Sequence, residues 1–250
     1  SDFIICENPK HSLKLLNKFG IKKKLVSLHD YNENAVIQRL LVELDKKNIV
    51  LISDAGSPLV CDPGFKLIKH CIENNIKVSA IPGPNAIIPA LQLSGVPMNE
   101  FYFTGFYPKT KNSMEEFVDN IRNSKATSVF FVSNHKLQAC LSMLQEKIPK
   151  RKVSVSKEIS KINERTYRGL GGDLKNLIFG DLNQQRGEFV VVVEGNSLEK
   201  SKSIDINDYN KEIKKLLSKF SLTDVVEIVH KLTKIRKNKL YKWVLNLKKL

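Results

Sequence analysis

Residues 48–64, NIVLISDAGSPLVCDPG, decide how the rest of the chain is read. Between Asn48 and Ser53 the run is short and made of Ile, Val and Leu, which predicts a strand buried on both faces. It empties into Asp54-Ala55-Gly56-Ser57-Pro58, small residues that form turns. Asp62 is placed to cap a helix, with Pro63 at its first position and Phe65, Leu67, Ile68, Cys71 and Ile72 as its apolar stripe. Strand, small-residue loop and capped helix in succession mark the place where open α/β sheets bind ligands.

The segments on either side repeat the pattern. Residues 3–6 predict a strand, 11–19 a helix that Gly20 ends, and 25–28 a second strand. Residues 34–47 predict a helix with Val36, Ile37, Leu40, Leu41 and Leu44 inward. Beyond the central stretch, 77–81 predicts a strand ending at Pro82. The helix after it carries Pro89, which is expected to kink it or split it in two. Residues 101–104 predict a further strand. Alternation of β and α predicts a mostly parallel sheet covered by helices. Gly105-Phe106-Tyr107-Pro108 breaks the alternation. The expected division is therefore a first α/β domain at 1–106, a second at 107–197 and a small helical domain at 205–250. In the second, helices are expected at 114–123, 135–147 and 172–179, and strands at 127–132, 152–158, 165–168 and 188–194.

The chain has 250 residues and a net charge of +15, with 41 Lys and Arg against 26 Asp and Glu. Such a chain attracts polyanions, nucleic acid among them, although a Lys-rich composition bias gives the same count. No run of ~18 apolar residues predicts a membrane span, and no secretory leader is visible. Cys6, Cys61, Cys71 and Cys140 form no C-x-x-C pair and sit mostly in apolar runs. Free thiols in a reducing cytoplasm fit them better than disulfides or zinc. His11, His29, His70, His135 and His230 show no metal-ligand spacing, so no metal is expected.

Two loops carry the chemistry. Ala55 and Gly56 offer little side chain, so peptide groups there can bond a base or ribose directly, and Asp54 can accept from ligand hydroxyls or an amine. Pro82-Gly83-Pro84-Asn85-Ala86 makes a rigid bend before a helix N-terminus with free N–H groups. Alone, the first loop is accounted for equally well as an ordinary turn, and the second more readily as a structural bend; two of them at neighbouring strand ends would face each other across one crevice. Neither G-x-G-x-x-G after the first strand nor a G-x-x-x-x-G-K-[ST] phosphate loop occurs. Glu158, at the end of a strand, has the position of a general base or a ligand acceptor, or simply of a solvated Glu.

The ordered set S-D-A-G-S-P-L-x-x-D-P-G at 53–64, P-G-P-N-A at 82–86 and G-F-Y-P at 105–108 resembles the tetrapyrrole-methylase superfamily. Within it, the resemblance is nearest to the ribosomal RNA small-subunit methyltransferase I family. Further matches are Leu28-His29-Asp30 with Asn32-Glu33, Ser133 with His135-Lys136-Leu137, Lys157-Glu158-Ile159-Ser160-Lys161, Arg168-Gly169, and Arg186-Gly187-Glu188-Phe189-Val190 through Val193-Glu194-Gly195. The family's pattern begins with a strand and a Pro-Ile-Gly-type loop against the cofactor. This sequence starts after it, at what would be the second strand. The family's Glu-Asp-Thr-Arg stands here as Glu7-Asn8-Pro9-Lys10, and its Tyr-Glu-Ser-Pro-His-Arg as 131–136.

The resemblance implies a two-domain tetrapyrrole-methylase-like α/β fold with a small C-terminal helical domain, and S-adenosylmethionine in the cleft between the α/β domains. It implies Asp54, Ala55, Gly56, Ser57, Asn85 and Ala86 as cofactor contacts from the first domain and Val132 and Ile159 from the second. The implied activity is 2′-O-methylation of a cytidine in 16S rRNA of the small ribosomal subunit, by a cytoplasmic homodimer. A ribose hydroxyl is a poor nucleophile unless it loses its proton as it attacks, and Glu158 and His135 are the candidates to take it. Lys10, Lys136, Lys157, Lys237 and Lys239 are the candidates for phosphate contact. The alternatives are methylation of a small tetrapyrrole and non-catalytic binding of RNA or the ribosome.

Overall fold

The computed structural model describes residues 1–179, 187–196, 209–233 and 235–249, with side chains up to Leu247. The chain divides into two compact units, Ser1–Gly195 and Asn196–Leu250.

The first unit holds two sheets. β1 (Phe3–Cys6), β2 (Lys24–Ser27) and β3 (Ile49–Ile52) form a parallel sheet in the order β2-β1-β3. Parallel neighbours need crossovers, and these are α1 (Pro9–Lys18) and α2 (Glu33–Leu44). Phe3 and Ile5 meet Val36, Ile37, Leu40, Leu67 and Cys71 in one core. The strand buried on both faces is β1, in the middle, and not β3 as expected. At the edge of the sheet β3 is half-buried, with Val50 at 41% exposure. The expected strand at 77–81 does not form, since those residues join no ladder among the described residues. A short run with polar residues at alternate positions is a strand only when a neighbour takes its peptide groups.

The helix after β3 is α3 (Phe65–Glu73), and its start departs from expectation. Gly64 is the N-cap, at φ 125, in place of Asp62. The first turn of α3 is capped from a distance. Glu33, at 4% exposure, accepts from the backbone N–H of Lys66 at 2.7 Å and of Leu67 at 3.1 Å through Oε1. Two orphan donors of a helix N-terminus are thus satisfied by one buried carboxylate, which the positive end of the helix also favours. Glu33→Gln keeps an acceptor but loses the charge. It is expected to destabilise the unit by about 1 kcal/mol, measured as a lower urea midpoint with unchanged slope.

Pro89 neither kinks nor splits the next helix, α4 (Ile87–Ser94). It lies in the first turn, where no intrahelical N–H is lost. Asn85 accepts from the N–H of Ile88 at 3.0 Å and covers that turn.

α4 packs on the second sheet. This sheet runs β4-β5-β8-β6-β7, built from β4 (Phe101–Phe106), β5 (Thr127–Val132), β6 (Lys152–Lys157), β7 (Arg165–Leu170) and β8 (Phe189–Val193). β4 was read as continuing the first α/β segment, but it pairs in parallel with β5, and the other ladders are antiparallel. Strand parity sorts its residues to two cores. Val129, Val190 and Val192 meet Ala90 and Leu91 of α4 on one face. Phe130, Val132, Phe189, Val191 and Val193 meet α5 (Lys111–Asn123), α6 (Leu137–Lys147) and α7 (Leu174–Phe179) on the other. A short 3₁₀ turn at Asn134–Lys136 leads into α6.

The second unit contains α8 (Asn210–Leu217), α9 (Leu222–Thr233) and α10 (Lys237–Lys249). Their apolar stripes meet through Ile213, Val225, Val226, Val229, Leu240, Val244 and Leu247. The polar stretch from Gly195 to about Ile206, expected from the sequence to link the second α/β domain to the helical one, falls largely outside the described residues.

Candidate active site

β3 delivers its loop to the C-terminal edge of the parallel sheet, and the loop closes on itself through Ser53. The Ser53 hydroxyl lies 2.9 Å from the Gly56 carbonyl and 3.3 Å from that of Ala55. Gly56 has φ +74, a conformation that an L side chain resists. The two loops singled out in the sequence come together: the Ser57 hydroxyl donates to the Pro84 carbonyl at 3.0 Å. A Cβ on Gly56 would touch that same carbonyl at 3.6 Å. Ala55 and Gly56 are exposed and small, as close approach of a nucleoside-bearing ligand requires. Asp54 is half-buried and accepts the N–H of Asn8 at 3.3 Å through Oδ1.

The second sheet contributes unevenly. Ile159 packs against the same core as Ala86 and Ile87. Val132 has its side chain in the opposite core, at 2% exposure, leaving only its main chain for a ligand. Strand parity carries Val132 away from Ile159.

Glu158 and Ser160 are both left-handed, at φ 51 and 69. The Glu158 carboxylate accepts from the Glu188 N–H at 2.8 Å and from Lys161 Nζ at 3.1 Å. The Glu188 N–H, with the Lys161 ammonium behind it, holds the carboxyl below the usual Glu value. His135 is exposed on the 3₁₀ turn.

Of the basic candidates in the first unit, Lys10 is exposed in the first turn of α1. Lys136 Nζ donates to the Tyr107 carbonyl at 3.1 Å, and Lys157 is 6% exposed. In the second unit Lys237 pairs with Glu227 at 2.9 Å, and Lys239 is exposed.

A residue that the sequence reading did not single out for chemistry is Glu7. It follows β1 directly and is half-buried. Burial, and then the charges of Asp54, Asp62 and Asp30, push its carboxyl above the usual Glu value, while His29 opposes them. Burial likewise raises Asp62. The signal available in sequence was an acidic residue immediately after a four-residue apolar strand. Among the described residues, no group of three His, Cys, Asp or Glu side chains is arranged to hold a metal ion. No helix among them is long and apolar enough to cross a membrane.

Residues 1–175 match the family described as Tetrapyrrole (Corrin/Porphyrin) Methylases. Diphthine synthase aligns in three dimensions with a TM-score of 0.54 at 16% identity, covering 78% of this chain and 79% of that one. Uroporphyrin-III-C-methyltransferase from Thermus thermophilus aligns at 0.50 and 18%, covering 78% and 82%. At those identities the likeness concerns the fold alone. Sequence relatives are nearer. The protein named ribosomal RNA small subunit methyltransferase I in Escherichia coli O157:H7 is 33% identical over 247 residues, 98% of this chain and 85% of that one. Its namesake in Halalkalibacterium halodurans is 36% identical over 198 residues, 78% of this chain and 68% of that one. By the span of these matches and by its two-sheet fold, this chain belongs to the tetrapyrrole methylase family and, within it, to the ribosomal RNA small subunit methyltransferase I group.

Proposed function

We propose that the protein transfers a methyl group from S-adenosylmethionine to the 2′-oxygen of a cytidine ribose in 16S rRNA of the small ribosomal subunit. The observation that carries this reading is the Ser57–Pro84 hydrogen bond, which joins the two small-residue loops, in a chain whose relatives are named as ribosomal RNA methyltransferases. Asp54, Ala55, Gly56, Ser57, Asn85, Ala86 and Ile159 would hold the donor, with the main chain of Val132. When bound, S-adenosylmethionine supplies an activated methyl, so the protein's part is orientation, water exclusion and removal of one proton.

The charge of +15 suits a polyanionic acceptor. Among the lysine candidates, geometry favours Lys10 and Lys239, which are exposed, over Lys136, Lys157 and Lys237, which are engaged or buried. A cytoplasmic homodimer belongs to the same reading.

The protein incubated with small subunits lacking the modification and with labelled donor is expected to yield 2′-O-methylcytidine by nucleoside mass spectrometry. Methyl found on a tetrapyrrole carbon instead would transfer the chain to the small-molecule branch of the family. Tight particle binding without donor binding or transfer would make it a non-catalytic ribosome-binding protein.

A further inference from the structure

Of the two residues nominated for proton transfer, neither is well placed. Glu158 is occupied: its carboxylate is bonded to Lys161 and to the Glu188 N–H, both of which stabilise the ionised form and weaken it as a base. His135 is exposed, on a turn whose next residue, Lys136, is tied to Tyr107.

Glu7 has the opposite surroundings. It leaves β1, the middle strand of the parallel sheet, at the edge where the Asp54–Ser57 loop begins. Its main chain is pinned on both sides. The Glu7 carbonyl accepts from the Ser27 hydroxyl at 3.1 Å, at the end of β2. The next N–H, of Asn8, donates to Asp54 at 3.3 Å, in the loop after β3. Asn8 in turn caps α1 through the N–H groups of Lys10 and His11 at 3.1 and 3.3 Å. Three elements therefore fix the position of Glu7, yet among the described residues nothing donates a hydrogen bond to its carboxylate. The charged groups that face it are Asp54 and Asp62 after β3, and Asp30 and His29 after β2.

We propose that Glu7 is the group that takes the proton of the attacking ribose hydroxyl, an assignment that rests on the methyltransferase reading above. A carboxylate beside other carboxylates, half-buried and with no donor of its own, has a greater affinity for a proton than one in water. In the step, the ribose 2′-oxygen forms a bond to the methyl carbon. The carbon–sulfur bond of the donor breaks with its electron pair remaining on sulfur, and the hydroxyl proton passes to a Glu7 carboxylate oxygen. Glu158 then has a structural task, holding the strained turn that presents Ile159.

The test uses the full chain, small subunits lacking the methyl group, and saturating donor. Glu7→Gln is expected to lower the single-turnover rate by roughly 10²- to 10⁴-fold, with part of it recovered in Glu7→Asp. Affinity for S-adenosylhomocysteine by calorimetry is expected to change by less than about threefold, because Glu7 removes a proton and does not hold the donor. A readout independent of turnover is the carbon-13 titration of glutamate side chains. The resonance absent from Glu7→Gln is expected to titrate above the ordinary Glu value and to move down in Asp54→Asn, which removes a neighbouring charge. A folded Glu7→Gln protein with the wild-type rate, or one whose loss disappears at saturating donor and RNA, overturns the assignment and leaves the methyltransferase reading standing. If the Gln variant does not fold, the Glu7 resonance is assigned as the one lost from the glutamate set in Glu7→Asp, and a titration at or below the ordinary value overturns it equally. Wild-type protein that puts no methyl on ribose defeats the reading itself and this assignment with it.

Discussion

Asp54→Ala is expected to weaken binding of S-adenosylhomocysteine by roughly 10- to 100-fold, about 1–3 kcal/mol, in a protein that remains folded. The argument begins with the backbone. β3 ends at Ile52, Ser53 turns the chain, and Asp54 stands at the mouth of a loop whose next two residues are Ala and Gly. Among the described residues its carboxylate accepts one hydrogen bond, from the Asn8 N–H through Oδ1. That contact is long, at 3.3 Å, and exposed, so its loss costs little stability. The remaining acceptor capacity suits ribose hydroxyls or an ammonium. Ser57→Ala is the comparison, since it loosens the tie to Pro84 without removing a charge, and a smaller loss is expected. Asp54→Ala has a second consequence. Asp54 raises the proton affinity of Glu7, so its removal lowers the Glu7 pKa toward the ordinary value. The acid side of the rate profile is therefore expected to shift to lower pH in the variant, because Glu7 stays ionised further into acid. Unchanged affinity in a folded Asp54→Ala protein would place the donor elsewhere.

The pieces of this site differ in how far the sequence showed them, and the reasons are physical. The Asp54–Pro58 and Pro82–Ala86 loops were legible because their function needs residue types that also announce a turn. Their contact was foreseen only as a shared crevice; the Ser57–Pro84 bond spans 27 residues and depends on where α4 goes. The cap of α3 was misplaced because Asp62 is a good local cap, whereas the group that does the work is Glu33, over thirty residues earlier. Local propensity cannot see a partner that tertiary folding supplies. The apolar character of 49–52 indicated a strand but could not tell a middle strand from an edge one, since both are rich in Ile, Val and Leu. Val132 and Ile159 were paired by resemblance. The period of two along β5 already put Val132 on the face of Phe130, away from Val129 and the α4 core. Glu158 was nominated for standing at a strand end, and its proton affinity is decided by Glu188 and Lys161, which only the fold brings to it.

Removal of residues 205–250 is expected to weaken binding to the small subunit by at least about tenfold at physiological salt, and to leave donor affinity within about twofold. The Asp54–Pro58 and Pro82–Ala86 loops, proposed to hold the donor, lie in the first unit, whose cores are built from residues within 1–195. The second unit has its own core, so α8, α9 and α10 can be lost without opening the first. Its charge is unevenly spread. α9 carries Asp224 and Glu227, while α10 carries Lys237, Lys239, Lys242, Lys248 and Lys249 and no acidic residue. α10 turns Leu240, Val244 and Leu247 inward and leaves Lys239, Tyr241 and Lys242 exposed. Exposed Lys side chains and an exposed aromatic ring on one helix are the chemistry of phosphate and base contact, so the unit is expected to add affinity and little sequence information. Each phosphate contact to a single strand contributes ~0.7 to the slope of log affinity against log salt, so losing three contacts should flatten it by about 2. Lys237 enters that count weakly because Glu227 already holds it. Lys239→Glu combined with Lys242→Glu in the full chain separates charge from fold. Neither side chain is in the core, so the helices should persist, while particle affinity and salt slope fall together. Should the truncated protein and the double variant both keep full affinity with the same salt slope, the second unit is a folding or assembly element and its lysines are a solvated face.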